Sequence, residues 1–235
     1  VAFEPVNAIF PRHVAPVVRY SSDGEREIVT MIWGFLRLEK GKAPKPVTNV
    51  RDDQIQTNPF WRDSFKARRC LVPASSFCEP NGEVKPATWN WFANRDGQDG
   101  RPLFAFPGIW RRYQGPVKKH GPNVDIDTYA FLTTTPNPLV ATINHERMPV
   151  LLTREEEFET WLKGSPEAVG RLPRVLRHAP RAFDAFAEEA ARARQRRRSR
   201  WRACRGLPAG HPSPRRLPGR AVAQVPRAPP PDGLA

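Results

Sequence analysis

Residues 103–135, LFAFPGIWRRYQGPVKKHGPNVDIDTYAFLTTT, decide the fold. LFAFPGIWRRY (103–113) and TYAFLTTT (128–135) are rich in aromatic and β-branched residues, and the polar stretch 114–127 between them, punctuated by Gly and Pro, reads as a loop. The pair therefore predicts two strands. Upstream, PVVRY (16–20) and EIVTMIW (27–33) flank the polar SSDGE (21–25), which predicts a hairpin. CLVPASSFCEP (70–80), ATWNWFA (87–93) and MPVLL (148–152) are further strand candidates, the last apolar enough to be buried. Residues 39–58 are polar with scattered Pro and Asn and read as a loop. Helices are few and short. Pro59 opens FWRDSFKARR, in which Phe60, Trp61 and Phe65 share a face, and Thr153 stands as N-cap before REEEFETWL, a helix turning Phe158, Trp161 and Leu162 inward. Many strands beside short helices predict an α+β domain, mainly antiparallel sheet closing towards a barrel, with short flanking helices.

A chain of 235 residues with 39% hydrophobic side chains holds one well-cored domain with an appendage. The division falls near residue 170. From Arg171 onwards there are sixteen Arg and no Lys against four acids, a net of +12 out of the total of +14, so residues 1–170 carry only +2. Ten of the 27 prolines lie in the same stretch. Residues 1–165 are thus expected to form the domain and 171–235 a low-complexity tail rich in Arg, Pro and Ala, within which RAFDAFAEEAARA (181–193) could form an isolated helix. Such a tail is either a basic arm for nucleic acid or the translation of a GC-rich gene in the wrong frame, and the compositional bias favours the second. DNA affinity in the body must come from locally placed arginines.

No run approaches 18 apolar residues and no basic start precedes an apolar stretch, which argues against a membrane span or a secretory signal, so a cytoplasmic protein is expected. Cys70, Cys78 and Cys204 are irregularly spaced without clustered histidines. They predict reduced thiols, no disulfide framework and no metal site, and no cofactor is expected.

Three stretches pair a chemically capable residue with an apolar frame. In TNVRDDQ, Asn49 and Arg51 are two apart and point to one side if extended, offering an amide and a guanidinium fork suited to phosphate; ordinary turn chemistry is the alternative. CLVPASSFCEP ends in Glu79, either a general acid or base with a raised pKa or a solvated strand end. INHERMPVLL carries His145 and Arg147 just before a buried strand; a lone histidine is more often structural, yet it is the side chain best suited to proton transfer near neutrality.

Taken in order, WGF (33–35), TNVR (48–51), RRCLVPASSFCEP (68–80), FAFPGIW (104–110), FLTTTPN (131–137) and HERMPVLL (145–152) resemble the SOS-response-associated peptidase family, whose members process abasic sites in single-stranded DNA. The resemblance covers roughly residues 9–165. It implies a nucleophile formed by an N-terminal cysteine, whose α-amine condenses with the ring-opened sugar aldehyde and whose thiol closes a thiazolidine, leaving a protein–DNA crosslink. An α-amine of pKa about 7.7–8.0 is partly neutral at cellular pH, as this chemistry needs. By the same resemblance Asn49 and Arg51 hold the DNA backbone or the terminal residue, Glu79 acts on the amine and in self-processing, and His145 moves protons during ring opening. Arg147 binds a phosphate, and Trp33 stacks beside the lesion, worth roughly 1–3 kcal/mol. The implied partner is single-stranded DNA bearing abasic sites, met by a monomer with no membrane involvement.

The sequence also departs from the family pattern. It begins at Val1, where members begin with Met-Cys and a further segment, so the chain as written is expected not to form the thiazolidine. Pro80 follows Glu79 where many members have Trp, and the tail replaces the last strand of the family, which predicts an unpaired barrel edge. Two other readings stand beside this one: a noncatalytic single-strand-binding module using Trp33, Arg51 and Arg147, and a relic that does not fold stably.

Overall fold

The computed structural model describes residues 8–81, 88–94, 102–143, 145–178 and 183–186, the last segment and residues 173–178 by their backbone alone. By its internal contacts the chain divides into residues 1–193 and 194–235, and the second unit lies wholly outside the described residues.

In chain order the elements are β1 (Val14–Tyr20), β2 (Arg26–Trp33), β3 (Phe35–Arg37), β4 (Lys45–Val47), β5 (Asn49–Arg51), α1 (Pro59–Ala67), β6 (Arg69–Ala74), β7 (Ser76–Pro80), β8 (Trp89–Asn94), β9 (Phe104–Pro116), β10 (Asn123–Thr134), α2 (Pro138–Ala141), β11 (Met148–Pro149), α3 (Glu155–Lys163), α4 (Pro166–His178) and β12 (Phe183–Phe186). Strands β10, β2, β1, β6 and β9 pair in that order, and β9 pairs back to β10, so five strands close a barrel. Every pairing in the ring is antiparallel except β10 with β2. This is the expected α+β architecture, and the edge expected to be unpaired is closed by the nine-residue ladder between β9 and β10.

Alternation along the strands feeds two cores. Cys70, Val72, Phe104, Phe106, Tyr129 and Phe131 pack into one cluster with Ala15, Val17 and Met31 from β1 and β2. Their neighbours Leu71, Ala105, Ile109, Ala130 and Leu132 face the other way, onto Trp61 and Phe65 of α1 and Trp161 and Leu162 of α3. Trp161 is fully buried, and its indole N–H donates to the Cys70 and Gly108 carbonyls at 2.8 and 3.1 Å, tying α3 to the barrel wall. Helices thus cover a barrel that is apolar on both faces.

Several expectations are corrected. The loop expected at 114–127 shrinks to six residues, because β9 runs on to Pro116 and β10 starts at Asn123, with Arg112 and Asp125 paired across the ladder at 2.5 Å. Polarity there reflects a solvated strand face. CLVPASSFCEP is two strands in different sheets: β6 joins the barrel, and β7 joins a three-stranded sheet in the order β12-β8-β7. The loop expected over 39–58 contains β4 and β5, and β5 runs parallel to β10. Thr153 is not the cap of α3; the Glu157 carboxylate reaches back to the Thr153 and Arg154 amides at 2.7 and 3.3 Å. Residues 183–186, expected to be helical, form β12 against β8, where ladder pairing outweighs local helix preference.

Candidate functional site

One mouth of the barrel gathers most of the residues singled out from sequence. The C-terminal half of β10 is the organiser. Its Phe131–Thr133 segment pairs with Asn49–Arg51 of β5, and Thr133 and Thr134 pair with Pro149 and Met148 of β11. Val50 is fully buried between Asn49 and Arg51, which are both exposed on one side, as their spacing predicts. Just upstream, Trp33 ends β2; its indole donates to the Thr48 carbonyl at 3.1 Å and stacks on Phe131 with centroids 5.3 Å apart. Gly34 makes the turn out of β2 at φ 113°, and a Cβ there would lie 2.8 Å from that of Pro46.

From β5 a hydrogen-bonded path leads to the acid–base pair. Arg51 is held by Asp53, its Nε 3.0 Å and its Nη2 2.7 Å from the two carboxylate oxygens. The neighbouring Asp52 accepts from Arg147 Nη2 at 2.7 Å and from the Thr134 hydroxyl at 2.7 Å. Arg147 Nη2 also donates to the Thr133 carbonyl, 2.5 Å away. The Arg147 carbonyl in turn lies 2.5 Å from His145 Nδ1, which fixes the Nδ1–H form of the neutral ring and leaves Nε2 free to exchange a proton. That Nε2 stands 3.4 Å from Glu79 Oε2.

Glu79 arrives from the other sheet. In β7 it alternates to the same face as Phe77, and across the ladder it sits opposite Asn90, as Phe77 sits opposite Phe92. Phe77 and Phe92 stack with centroids 5.0 Å apart, giving the carboxyl an apolar floor. The side chains of Glu79 and His145 keep 17% and 26% exposure, so the pair is confined but has a route to solvent. Burial pushes the Glu79 carboxyl up to about 7, against the smaller opposing pull of a charged His145. Two groups 3.4 Å apart, one with its pKa near neutrality, can hand a single proton back and forth.

Two buried side-chain nitrogens among the described residues have no hydrogen-bond partner, Arg147 Nε and Asn90 Nδ2. Both belong to residues flanking this pair, one two positions from His145 and the other directly across from Glu79. Buried donors without partners are uncommon and mark places where a ligand group can complete the bonding. The two described cysteines are held as thiols at neutral pH: burial, then the Glu79 charge, raises Cys78 to about 11, and full burial raises Cys70 further still.

Most of the residues expected at the site are linked by side-chain contacts, and Asn49 is placed beside them by the pairing of β5 with β10. Trp33 reaches Thr48 beside Asn49, and the chain of contacts continues through Arg51, Asp52 and Arg147 to His145 and Glu79. Sequence reasoning missed Asp52, Thr133, Thr134 and Asn90. Asp52 had one available signal, since an acid directly after Arg51 and the buried Val50 needs a cation of its own; Asn90 had none. Among the described residues no group of three or more His, Cys, Asp or Glu could hold a metal, and no helix is long and apolar enough to cross a membrane.

Fold and site together define a small mixed β-barrel domain with a histidine–carboxyl pair at one mouth, walled by arginines and aromatic rings. The chain belongs to the SOS response associated peptidase (SRAP) family, whose model matches residues 2–189. It is 35% identical over 132 residues to a protein of Bacillus subtilis (strain 168) named abasic site processing protein YoqW, covering 55% of this chain and 54% of that one. A second B. subtilis protein, named abasic site processing protein YoaM, is 31% identical over 141 residues with the same coverage. The chain thus spans about half the length of the curated relatives it matches. Crystal structures of a protein from Bordetella bronchiseptica (TM-score 0.59, covering 79% of this chain and 89% of that one) and one from Bacteroides thetaiotaomicron (TM-score 0.56, covering 74% and 73%) share the fold, each at 24% identity.

Proposed function

We propose that this domain processes abasic sites in single-stranded DNA, with the Glu79–His145 pair moving the protons of the reaction. The observation that carries the reading is the 3.4 Å contact between His145 Nε2 and a carboxyl raised to about 7, flanked by two buried donors without partners. Opening an abasic sugar needs a proton taken from the C1 hydroxyl while the ring oxygen gains one. His145, with its Nδ1 committed to a carbonyl, carries that transfer through Nε2. Condensation then needs an amine freed of its extra proton, which is the role of Glu79. The amine attacks the aldehyde carbon, water leaves to give an imine, and a thiol sulfur adds to the imine carbon to close the thiazolidine. Arg51 contacts a phosphate by exchanging its Asp53 partner for the anion, Arg147 offers its unpartnered Nε, and Asn49 positions the strand beside Trp33. Peptidase and lyase activities, in self-processing and at the sugar, belong to the same reading.

Supplying the nucleophile from solution tests the pocket by itself. With a single strand bearing one abasic site and free cysteine as the aminothiol, the chain should speed formation of the cysteine adduct, measured by mass spectrometry of the strand. Glu79→Gln and His145→Ala should each remove the acceleration. An adduct that forms at the same rate with and without the chain would contradict the proposal. The second reading, a noncatalytic single-strand binder, is supported by the three polar and aromatic contacts available at Trp33, Arg51 and Arg147; it predicts strand binding with no acceleration.

A further inference from the structure

The opposite mouth of the barrel carries a second constellation. The C-terminal end of β1, the approach to β6 and neighbouring parts of β9 and β10 surround a cleft of about 500 Å³ lined by Arg19, Arg68, Trp110, Arg111, Arg112 and Asp127. Strand direction sets it apart from the acid–base pair. Thr133, which binds Arg147, lies six residues along β10 from Asp127, about 20 Å at the rise of a strand.

Arginines at this mouth differ in their pairing, and Arg12 and Arg69 elsewhere likewise donate to carbonyls, those of Pro44 and Gly164. Arg19 is held by Glu27 at 2.8 Å and Asp127 at 3.9 Å, and lies 4.3 Å over the Trp110 ring. Arg112 is held by Asp125, and elsewhere Arg26, Arg51, Arg62, Arg147 and Arg154 each hold a carboxylate. Arg37, Arg68 and Arg111 hold none among the described residues. Arg68 donates to the Trp110 carbonyl at 3.3 Å and the Ser64 hydroxyl at 3.4 Å, and Arg111 to the Leu36 carbonyl at 3.0 Å. The guanidiniums of Arg37 and Arg111 lie 4.5 and 4.4 Å from the centroid of one ring, that of Phe60. Burial first, then the charges of Arg37 and Arg68, holds Arg111 below the ordinary guanidinium range. Stacking explains one arginine on an aromatic ring. It leaves Arg68 and Arg111 lining a cleft whose acid, Asp127, faces Arg19, and Arg37, near the exposed Glu39, sharing a ring with Arg111, so guanidinium donors there are open to an anion.

We propose that Arg37, Arg68 and Arg111 form a phosphate-binding site at the barrel mouth away from the acid–base pair, and that the phosphates belong to the backbone of a single-stranded nucleic acid. The choice of a strand over a free polyphosphate rests on the function proposed above. Such a site gives the strand a second hold, independent of sequence and of any lesion.

Arginine-selective modification with phenylglyoxal, read residue by residue by peptide mass spectrometry on the full chain, tests this and separates these side chains from the Arg-rich tail. With an intact single strand of about 20 nucleotides, modification of Arg37 and Arg68 should slow severalfold and recover as salt is raised, while Arg62 reacts at an unchanged rate. Unchanged rates at Arg37 and Arg68 overturn the site. Because the strand carries no lesion, protection of Arg51 without protection of Arg37 and Arg68 sinks only this inference and leaves the proposed function standing. Equal protection by inorganic tripolyphosphate alone overturns the assignment to a strand. As a second variant test, Arg68→Gln should lower the salt slope of strand binding by about 0.7 for the one lost phosphate contact, and Arg111→Lys, which keeps the charge, should leave the slope unchanged. A wild-type slope in Arg68→Gln contradicts the proposal.

Discussion

Two ion-pair clusters in this barrel use similar side chains to opposite ends. On the outer surface Arg26 Nη2 donates to both Glu155 and Glu159, the Tyr20 hydroxyl donates to Glu159 at 2.6 Å, and Lys163 adds a second cation 3.7 Å from Glu159. Every charge there meets its opposite, so the Tyr20 hydrogen bond and then Arg26 hold Glu159 below the usual carboxylate range, and Arg26 is raised. At the site, Glu79 has His145 alone as its ionic partner among the described residues, and burial outweighs that attraction. A cluster whose charges are matched adds a little stability and does no chemistry. One whose carboxyl is buried with a partner that is charged only when protonated gives up stability and gains a proton that can move near neutral pH.

The largest effect that would sharpen this contrast is on turnover. Glu79→Gln keeps the shape but cannot take a proton, and should slow adduct formation roughly 10²–10⁴-fold in the cysteine assay. Its effect on stability should have the opposite sign. A carboxyl raised from the ordinary 4.5 to about 7 is protonated in the folded chain and ionised in the unfolded chain between those values. Its favourable contribution is therefore complete below about 4.5 and is lost as pH rises through about 7. Melting curves across pH should show wild type falling relative to Glu79→Gln over that window, with the variant the more stable above it; parallel curves would break the comparison.

Next in size is Arg147→Ala. Asp52 keeps only 14% side-chain exposure, and losing its cation leaves a confined carboxylate held by the Thr134 hydroxyl and the Asp53 amide, at a cost of about 3 kcal/mol in denaturant unfolding. Truncating Arg26 should cost less than about 1 kcal/mol and should fade with added salt, because its partners face solvent. Smallest of all, Arg51→Ala should leave the melting temperature unchanged, since Arg51 and Asp53 are both exposed, while weakening strand binding. A destabilised Arg51→Ala would make that arginine structural.

Strand content and the acid–base candidates were legible in the sequence because each depends on local features: β-branched and aromatic runs for the barrel strands, and polar residues set against apolar frames for Asn49, Glu79, His145 and Arg147. Closure was only partly legible. Alternation can show that Phe104 and Phe106 share a face, yet the ring of β10, β2, β1, β6 and β9 depends on which edges meet, including the parallel pairing of Thr128 and Tyr129 with Ile32 and Trp33, for which no local signal exists. The same holds for β5, three residues whose strand character comes from lying beside β10. At the site, the pairing of Asp52 with Arg147 spans 95 positions, and Asn90 faces Glu79 only because β7 and β8 pair in that register. Such long-range partners are set by packing and cannot be read from composition or spacing.

The proposed acid–base chemistry depends on the state of one carboxyl. Carbon-13 NMR of the Glu79 side-chain carboxyl, followed from pH 4 to 9 in the wild-type chain and in His145→Ala, reads it directly. The predicted result is a midpoint near 7 that moves higher when the histidine is removed, since the attraction of His145 is what holds it down. A midpoint in the ordinary carboxylate range, the same in both chains, would contradict it.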